Sequence, residues 1–147
     1  RQDPTFHRSK GLRIGRDGSR VPLPWRADAP SYGFSSTGKS WLPQPDVWGA
    51  NARDVQQRNP DSTLNLYRDA LALRRELGLG HGSLAWWPER DAVGLIAFVN
   101  GNVLAAMNMG TEPVELPEFE IIRESSPCAM EHTRLRPNRA VWMRVPS

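Results

Sequence analysis

Residues 59–80 read NPDSTLNLYRDALALRRELGLG and give the clearest local signal in the chain. The segment Pro60–Ser62 can start a helix, because Asp and Ser side chains accept hydrogen bonds from the free N–H groups of a first turn. Gly78 is typical of a helix end. At about 100° per residue, one stripe of such a helix is apolar, comprising Leu66, Tyr67, Ala70, Leu73 and Leu77. The pattern predicts a helix over 61–77 with one buried face.

On the C-terminal side of this helix the apolar pattern changes its period. Residues 83–110 read SLAWWPERDAVGLIAFVNGNVLAAMNMG and indicate three short strands. PERDA is a turn sequence, and Asn100-Gly101 favours a type I′ hairpin because both residues tolerate positive φ. VELP, FEII and AVWMRV add further short strands. The segment predicts a small antiparallel β domain, in which the adjacent Trp86 and Trp87 face opposite sides of a strand.

On the N-terminal side, residues 1–59 are rich in proline and unsuited to a long helix. We predict a short strand at RVPLPW, residues 20–25, followed by a long ordered loop, a kind of loop that is usually functional. Trp25, Trp41 and Trp48 could stack on a ligand, but burial as anchors of the loop is favoured over that role.

Composition limits the classes of protein that this chain can be. The 147 residues suit one domain, or a small domain with a piece of another, and the formal net charge is +3. Residues 1–26 hold seven basic and two acidic side chains, but charges elsewhere are mixed, so we predict no nucleic-acid partner. The longest apolar run, VGLIAFV at 93–99, is too short to span a bilayer, so we predict no membrane partner.

Cysteine and histidine give little support for a metal or redox site. Cys128 is the single cysteine, which excludes an intrachain disulfide and suits a reducing compartment, so we predict a cytoplasmic protein. We expect Cys128 to be a half-buried small apolar residue, not a nucleophile. The three histidines lack metal-ligand spacing, so we predict neither a metal nor a cofactor.

Four motifs follow one another in a fixed order along the chain. They are RDGSRVPLPW at 16–25, SYGFS at 31–35, GKSWLP at 38–43 and PDSTLNLYRDALALRREL at 60–77. In this order they resemble the α-glucosidase branch of glycoside hydrolase family 13, the α-amylase superfamily, including oligo-1,6-glucosidases. There the patterns are R-D-x-x-R-T-P-M-Q-W, N-A-G-F-S, K-P-W-L-P and P-D-S-x-L-x-x-Y-x-x-L-x-x-L-R. This chain departs from them at Val21, Leu23, Pro24 and Ser31-Tyr32, the last pair standing where Asn-Ala is commoner.

The resemblance implies a fold. Residues 1–80 would be the C-terminal end of a (β/α)8 barrel, with its last strand, a long loop and its last helix. Residues 81–147 would be a small antiparallel β-sandwich, so the fold class is α/β followed by all-β. Because the chain begins with Arg1, we expect further sequence upstream that supplies the missing N-terminal portion of the barrel.

The resemblance also implies a function. Members of the family hydrolyse terminal α-glucosidic bonds of oligosaccharides with retention, using an Asp nucleophile and a Glu acid/base about 5 Å apart. In the family these carboxylates lie upstream of the present segment, so we expect this chain to be inactive alone and to have no catalytic residue of its own. By position, Arg20 would contact the α-glucoside, and Arg16 is a weaker substrate-binding candidate. The other readings are that Arg20 braces Asp17, and that Arg16 forms a buried pair with Asp17.

A function of a different class remains open at this point. The tryptophan content and the self-contained appearance of residues 83–147 also suit a non-catalytic carbohydrate-binding or interaction module.

Overall fold

The computed structural model of the protein describes residues 3–87 and 94–146. It divides into two compact units, Arg1–Asn65 and Leu66–Ser147. The division falls inside a helix, whereas the resemblance placed a domain boundary between residues 80 and 81. Contacts within this chain do not test where the barrel of a larger enzyme would end, so the boundary at 80/81 stays a prediction.

The first unit consists of short helical elements joined by loops. Helix α1 spans Pro4–Arg8 and helix α2 spans Arg53–Arg58. Three 3₁₀ turns lie between them, at Asp17–Ser19, Pro30–Gly33 and Asp46–Asn51. The sequence analysis missed α1, although Asp3 gives its start: the Thr5 N–H donates to Asp3 Oδ1 at 2.7 Å.

The strand predicted over residues 20–25 was wrong. In the described part of the first unit this segment forms no ladder with another strand, and residues 20 and 21 lie in a bend. Prolines at 22 and 24 have no N–H to donate to a ladder. Instead, the Trp25 N–H donates to the Tyr32 carbonyl at 2.8 Å, and the Pro24 carbonyl accepts from the Arg53 N–H at 2.9 Å. The segment is therefore fixed to the loop and to the start of α2.

Helix α3 spans Thr63–Glu76, which confirms the helix predicted over 61–77 to within two residues at each end. The Asn65 N–H donates to Ser62 Oγ at 3.2 Å, so Ser62 caps the helix as its position predicted. The predicted buried face was only partly correct. No residue of α3 is fully buried, and Tyr67 is 65% exposed.

The second unit is built from two antiparallel sheets. A five-stranded sheet has the order β1-β2-β3-β8-β5, and a three-stranded sheet has the order β4-β7-β6. The strands span Leu84–Trp86, Leu95–Asn100, Val103–Asn108, Val114–Glu115, Glu120–Glu124, Met130–Glu131, Arg134–Leu135 and Arg139–Arg144, numbered β1 to β8 in chain order. All the strands predicted after α3 formed, and the two-residue strands β6 and β7 were not predicted. Antiparallel sheets with few helices are therefore the architecture of the described residues.

The hairpin at Asn100-Gly101 formed, but its turn is of another type. Asn100 pairs with Val103, so the loop consists of Gly101 and Asn102. Gly101 has φ +60°, while neither flanking asparagine has a positive φ. A positive φ at the first loop position alone is characteristic of a type II′ turn, which requires glycine there. The other predicted turn, PERDA at 88–92, lies outside the described residues.

The hydrophobic core of this unit includes residues from both sheets. Its members are Ala97, Leu104, Ala106, Leu116, Leu135, Val141 and Met143. Trp87 packs against this core, whereas Trp86 is 57% exposed, which confirms that the two tryptophans face opposite sides. Asn108 is fully buried and its Nδ2 donates to the Leu135 carbonyl at 2.9 Å, so β3 and β7 are also joined by a buried polar contact.

Two surface observations complete the description. Cys128 is exposed and has φ +57°, so the expectation of a half-buried thiol was wrong; it lies in a turn that holds its side chain outward. Of the helices in the described ranges, none combines the length and the apolar character needed to cross a bilayer.

Candidate functional site

The main polar site of the first unit is centred on the carboxylate of Asp3. This side chain is only 3% exposed. Its Oδ1 accepts from the Thr5 N–H at 2.7 Å, and its Oδ2 accepts from the Arg16 N–H at 3.0 Å. Arg20 Nη1 lies 3.3 Å from the same Oδ2 and forms an ion pair with it. One carboxylate thus joins the start of α1, the backbone at Arg16 and the side chain of Arg20.

Gly15 makes this close approach possible. It has φ +75°, a conformation that residues with a Cβ rarely adopt. A Cβ added at this position would lie 2.6 Å from Asp3 Cγ. Only glycine therefore lets the chain turn at position 15 and still present the next N–H to the carboxylate.

The hydrogen bonds around Asp3 keep it ionised. The N–H of Arg16 has the largest effect, followed by the N–H of Thr5, and the charge of Arg20 adds to both; together they hold the pKa of Asp3 well below its ordinary value of 3.8. Burial acts in the opposite direction but is outweighed. Arg20 therefore faces a carboxylate that is ionised at neutral pH.

The structure places the two predicted site residues differently. Arg20 keeps a side chain that is 47% exposed while it pairs with Asp3. Arg16 contributes its backbone N–H to Asp3, and its side chain is exposed, so the expected buried pair of Arg16 with Asp17 is not what the structure has. Sequence analysis missed Asp3, whose one local signal was an Asp before Pro at a possible helix start.

A shallow cavity lies next to this site. It has a volume of about 220 Å³ and is lined by Asp17, Gly18, Val21, Leu42 and Pro43. Leu42 is 6% exposed and belongs to the GKSWLP motif, whereas Val21 belongs to RDGSRVPLPW. The cavity therefore brings two of the sequence motifs together beside Arg20.

Comparison with individual known proteins identifies the family, although no family model matches the chain. A probable alpha-glucosidase of Rhizobium meliloti (strain 1021) is 36% identical over 110 residues, which cover 70% of this chain and 19% of the relative. Oligo-1,6-glucosidase IMA5 of Saccharomyces cerevisiae (strain ATCC 204508 / S288c) is 37% identical over 65 residues, covering 43% of this chain and 11% of the relative. Among solved structures, the alpha-glucosyl transfer enzyme XgtA has 36% sequence identity and a TM-score of 0.65, with 88% of this chain and 26% of that chain covered.

The chain belongs to the α-glucosidase group of glycoside hydrolase family 13. It matches the C-terminal part of such enzymes, and it spans between 11% and 19% of the length of the two curated relatives described above. The resemblance drawn from the four ordered motifs is thereby confirmed.

In this glycoside hydrolase chain the first three motifs are tied together by hydrogen bonds. Gln44 follows GKSWLP and donates from Nε2 to the Pro22 carbonyl at 3.1 Å. The bond from the Trp25 N–H to the Tyr32 carbonyl joins RDGSRVPLPW to SYGFS. The motifs that follow one another in the sequence are therefore also hydrogen-bonded neighbours in the structure.

The tryptophans of this loop are not all buried anchors. Trp25 is 47% exposed and Trp41 is 75% exposed, whereas Trp48 is partly buried. The expectation that burial is their main role does not hold for Trp25 or Trp41 within this chain.

We predict that the ionised Asp3 carboxylate stabilises the first unit and that this stabilisation is lost in acid. Because its pKa is lowered on folding, the Asp3 carboxylate contributes stability above its unfolded pKa, and this contribution is lost as the pH falls through the lower folded pKa. Asp3→Asn should therefore lower the melting temperature at pH 7, and its difference from the unchanged protein should shrink as the pH falls below 3.8. Thermal unfolding followed by circular dichroism at a series of pH values from about 2 to about 7 measures this difference.

Asp28→Asn is the matched control for that experiment. Asp28 belongs to the same unit and pairs with Arg26 at 3.6 Å, but its side chain is 78% exposed. Its replacement removes the same charge and should have a small effect at every pH, because exposed ion pairs contribute little. A difference for Asp3→Asn that stays constant down to the lowest pH would show that the ionised carboxylate is not its source.

Proposed function

We propose that the protein containing this chain is a retaining glycosidase that acts on terminal α-glucosidic bonds of oligosaccharides. The main support is the 36% identity to an alpha-glucosidase over 110 residues, which cover 70% of this chain. The catalytic Asp and Glu would come from sequence outside this chain. Nothing in the described parts of the two units favours the alternative of a non-catalytic module. The cytoplasmic location stays a prediction.

The finer architecture follows from the same proposal. Residues 1–80 would complete the C-terminal end of a (β/α)8 barrel, and residues 81–147 would form the β-sandwich that follows it. Active sites of such barrels lie at the C-terminal ends of the strands, in the loops that follow them. The loop with Arg20 would then be one of the loops that line the sugar pocket.

Arg20 would hold the substrate by its remaining N–H groups. A guanidinium has five N–H donors, and Asp3 faces only Nη1 in this structure. The others are available for sugar hydroxyls or for a carboxylate from the rest of the enzyme. Asp3 would set the orientation of the Arg20 guanidinium, because the Asp3 carboxylate is buried and held in place by backbone N–H groups. Arg16, whose side chain is exposed, would be a secondary contact to the oligosaccharide.

The chemistry would be double displacement at the anomeric carbon. In retaining glycosidases two carboxylates about 5 Å apart act as nucleophile and as acid/base, and a glycosyl-enzyme intermediate is then hydrolysed. An acceptor sugar in place of water would give transfer, the reaction named for the structural relative XgtA. In both hydrolysis and transfer, this chain would help to position the substrate.

The test is an assay of the complete protein with p-nitrophenyl α-glucoside, maltose and isomaltose. We expect glucose release, and proton NMR of the first product should show the α anomer before mutarotation. The chain of residues 1–147 alone should release none. If the complete protein releases no glucose, or forms the β anomer first, the proposed function is wrong.

A further inference from the structure

A polar cavity in the first unit shares no lining residue with the cavity lined by Val21 and Leu42. Its volume is about 250 Å³. The side chains that line it are mostly polar, and all its lining residues lie between positions 29 and 46: Ala29, Ser31, Tyr32, Gly38, Ser40, Gln44 and Asp46. It therefore combines the first two residues of SYGFS with the beginning of GKSWLP.

A hydrogen-bonded frame holds the cavity open. The Ser31 hydroxyl donates to Gln44 Oε1 at 2.6 Å, and Gln44 Nε2 donates to the Pro22 carbonyl at 3.1 Å. The Tyr32 hydroxyl donates to the Asp46 carbonyl at 3.0 Å. These bonds use only part of the polar capacity, because Gln44 retains one N–H and one lone pair and each hydroxyl retains lone pairs.

The backbone of the cavity is strained at two consecutive residues. Ser31 has φ 47° and ψ 36°, and Tyr32 has φ 50° and ψ 36°. Neither is glycine or asparagine, the residues that adopt this left-handed conformation most readily. Such strain persists where the surroundings enforce it and is concentrated at functional sites.

The strained residues are among the positions at which this chain departs from the pattern of the family that it resembles. Ser31-Tyr32 stand where the family pattern has Asn-Ala. Asparagine would suit the left-handed backbone better than serine, so local stability does not explain the change. What the change adds is two hydroxyl groups, one in the frame beside Gln44 and one beside Asp46.

The side chains of the cavity select one class of ligand. It has no Lys or Arg among its lining residues, which disfavours phosphates and carboxylates, and its single carboxylate, Asp46, is a poor match for a divalent cation. Hydroxyl, amide and carboxylate groups together match a ligand whose groups both donate and accept hydrogen bonds. The volume lies just below that of typical small-molecule pockets and suits one sugar ring.

We propose that this cavity is a second saccharide-binding site, which holds one ring of a neutral sugar through Ser31, Gln44 and Asp46. It goes beyond the proposed function, because it needs neither Arg20 nor the catalytic carboxylates. It is a property of this chain, since it depends on the residues that replace the family's Asn-Ala.

The test is a titration of the ¹⁵N-labelled full chain with maltose, followed by NMR. We expect saturable shifts at the side-chain amide of Gln44 and the backbone amides of Ser31 and Tyr32. The double variant Ser31→Asn/Tyr32→Ala restores the family pattern, keeps a residue suited to the left-handed backbone, and should weaken binding about tenfold or more, the loss of one to two hydrogen bonds to the sugar. Asp46→Asn should weaken it less, because an amide still accepts a hydrogen bond.

Matched controls lie in the same unit outside the cavity. Gln57→Ala and Asp61→Asn change exposed residues of the same types and should leave maltose binding unchanged. Arg20→Ala should also leave it unchanged while it lowers glycosidase activity, so that failure of this site and failure of the proposed function are distinguishable. If the chain does not stay folded in isolation, saturation-transfer NMR on maltose with the complete, Arg20→Ala protein gives the same comparison of variants.

Three results would overturn the site. They are the absence of saturable binding, maltose-induced shifts that lie outside the cavity, and equal binding by Ser31→Asn/Tyr32→Ala and the unchanged chain. Inorganic phosphate and Ca²⁺ are titrated as alternative probes, and a stronger response to either at Gln44 would equally contradict a neutral sugar as the ligand.

Discussion

Replacing Arg20 with alanine in the complete protein is expected to lower kcat/KM for maltose by about 100-fold, which corresponds to about 2.7 kcal/mol of transition-state stabilisation. The physical reason is that, under the proposed function, the guanidinium held by the buried Asp3 carboxylate at 3.3 Å would offer several fixed N–H donors to the sugar. Alanine removes all of them and leaves Asp3 without its cationic partner. Steady-state kinetics with maltose measures the effect, and a thermal melt checks that the variant is folded.

Two further variants separate substrate binding from structural bracing. Arg20→Lys keeps the charge near Asp3 but loses the planar fork of donors, so kcat/KM should fall about tenfold while the melting temperature changes little. Arg26→Ala is the matched control, because Arg26 is 67% exposed and pairs with an exposed Asp28. If Arg20→Ala lowers the melting temperature but leaves kcat/KM at the level of Arg26→Ala, then Arg20 only braces the loop.

Local features of the fold could be predicted from the sequence because their signals are local. Helix α3 has its cap at Ser62 and its apolar spacing within one segment, and the structure places it at Thr63–Glu76. The hairpin after Asn100 is fixed by a glycine between two apolar runs. The turn type was wrong because register decides which two residues form the loop, and register depends on the pairing of whole strands.

Features that depend on distant residues could not be predicted. Asp3 and Arg20 are 17 positions apart, and no periodicity relates them; their contact depends on the turn at Gly15. Strands β6 and β7 have two residues each, too few for an alternating pattern to show. At residues 20–25 the sequence favours a strand but none formed, because a strand also needs a neighbouring strand with which to form backbone hydrogen bonds.

The resemblance to the family, and not the residues alone, identified Arg20 as a candidate site residue. Composition and spacing left Arg20 as one of seven basic residues in the first 26. Four motifs in order singled it out, and the structure then added the buried carboxylate that it contacts. The cavity at Ser31 and Tyr32 had no sequence signal except a departure from the family pattern, which became meaningful only when both residues proved to be strained.

The largest effect on stability is expected from Leu104→Ala in strand β3. Leu104 is completely buried, and its register partners Val99 and Met143 lie on the strands to either side. Removal of a buried leucine side chain loses its transfer free energy and leaves a cavity, which together cost about 2–5 kcal/mol. Because small domains have only about 5–15 kcal/mol of total stability, this change should remove a substantial share of the stability of the second unit. Urea unfolding followed by circular dichroism measures the shift in midpoint.

Met107→Ala in the same strand is the control for this prediction. Met107 lies three positions further along β3, so its side chain points to the opposite face of the sheet, and it is 40% exposed. Its truncation creates no closed cavity and should cost less than about 1 kcal/mol. If the two variants lose equal stability, the burial of Leu104 is not the source of its effect, and the exposed face of the sheet contributes as much to stability. In that case the exposed apolar side chains of that face, Trp86 and Ile96 among them, would be the residues to test next.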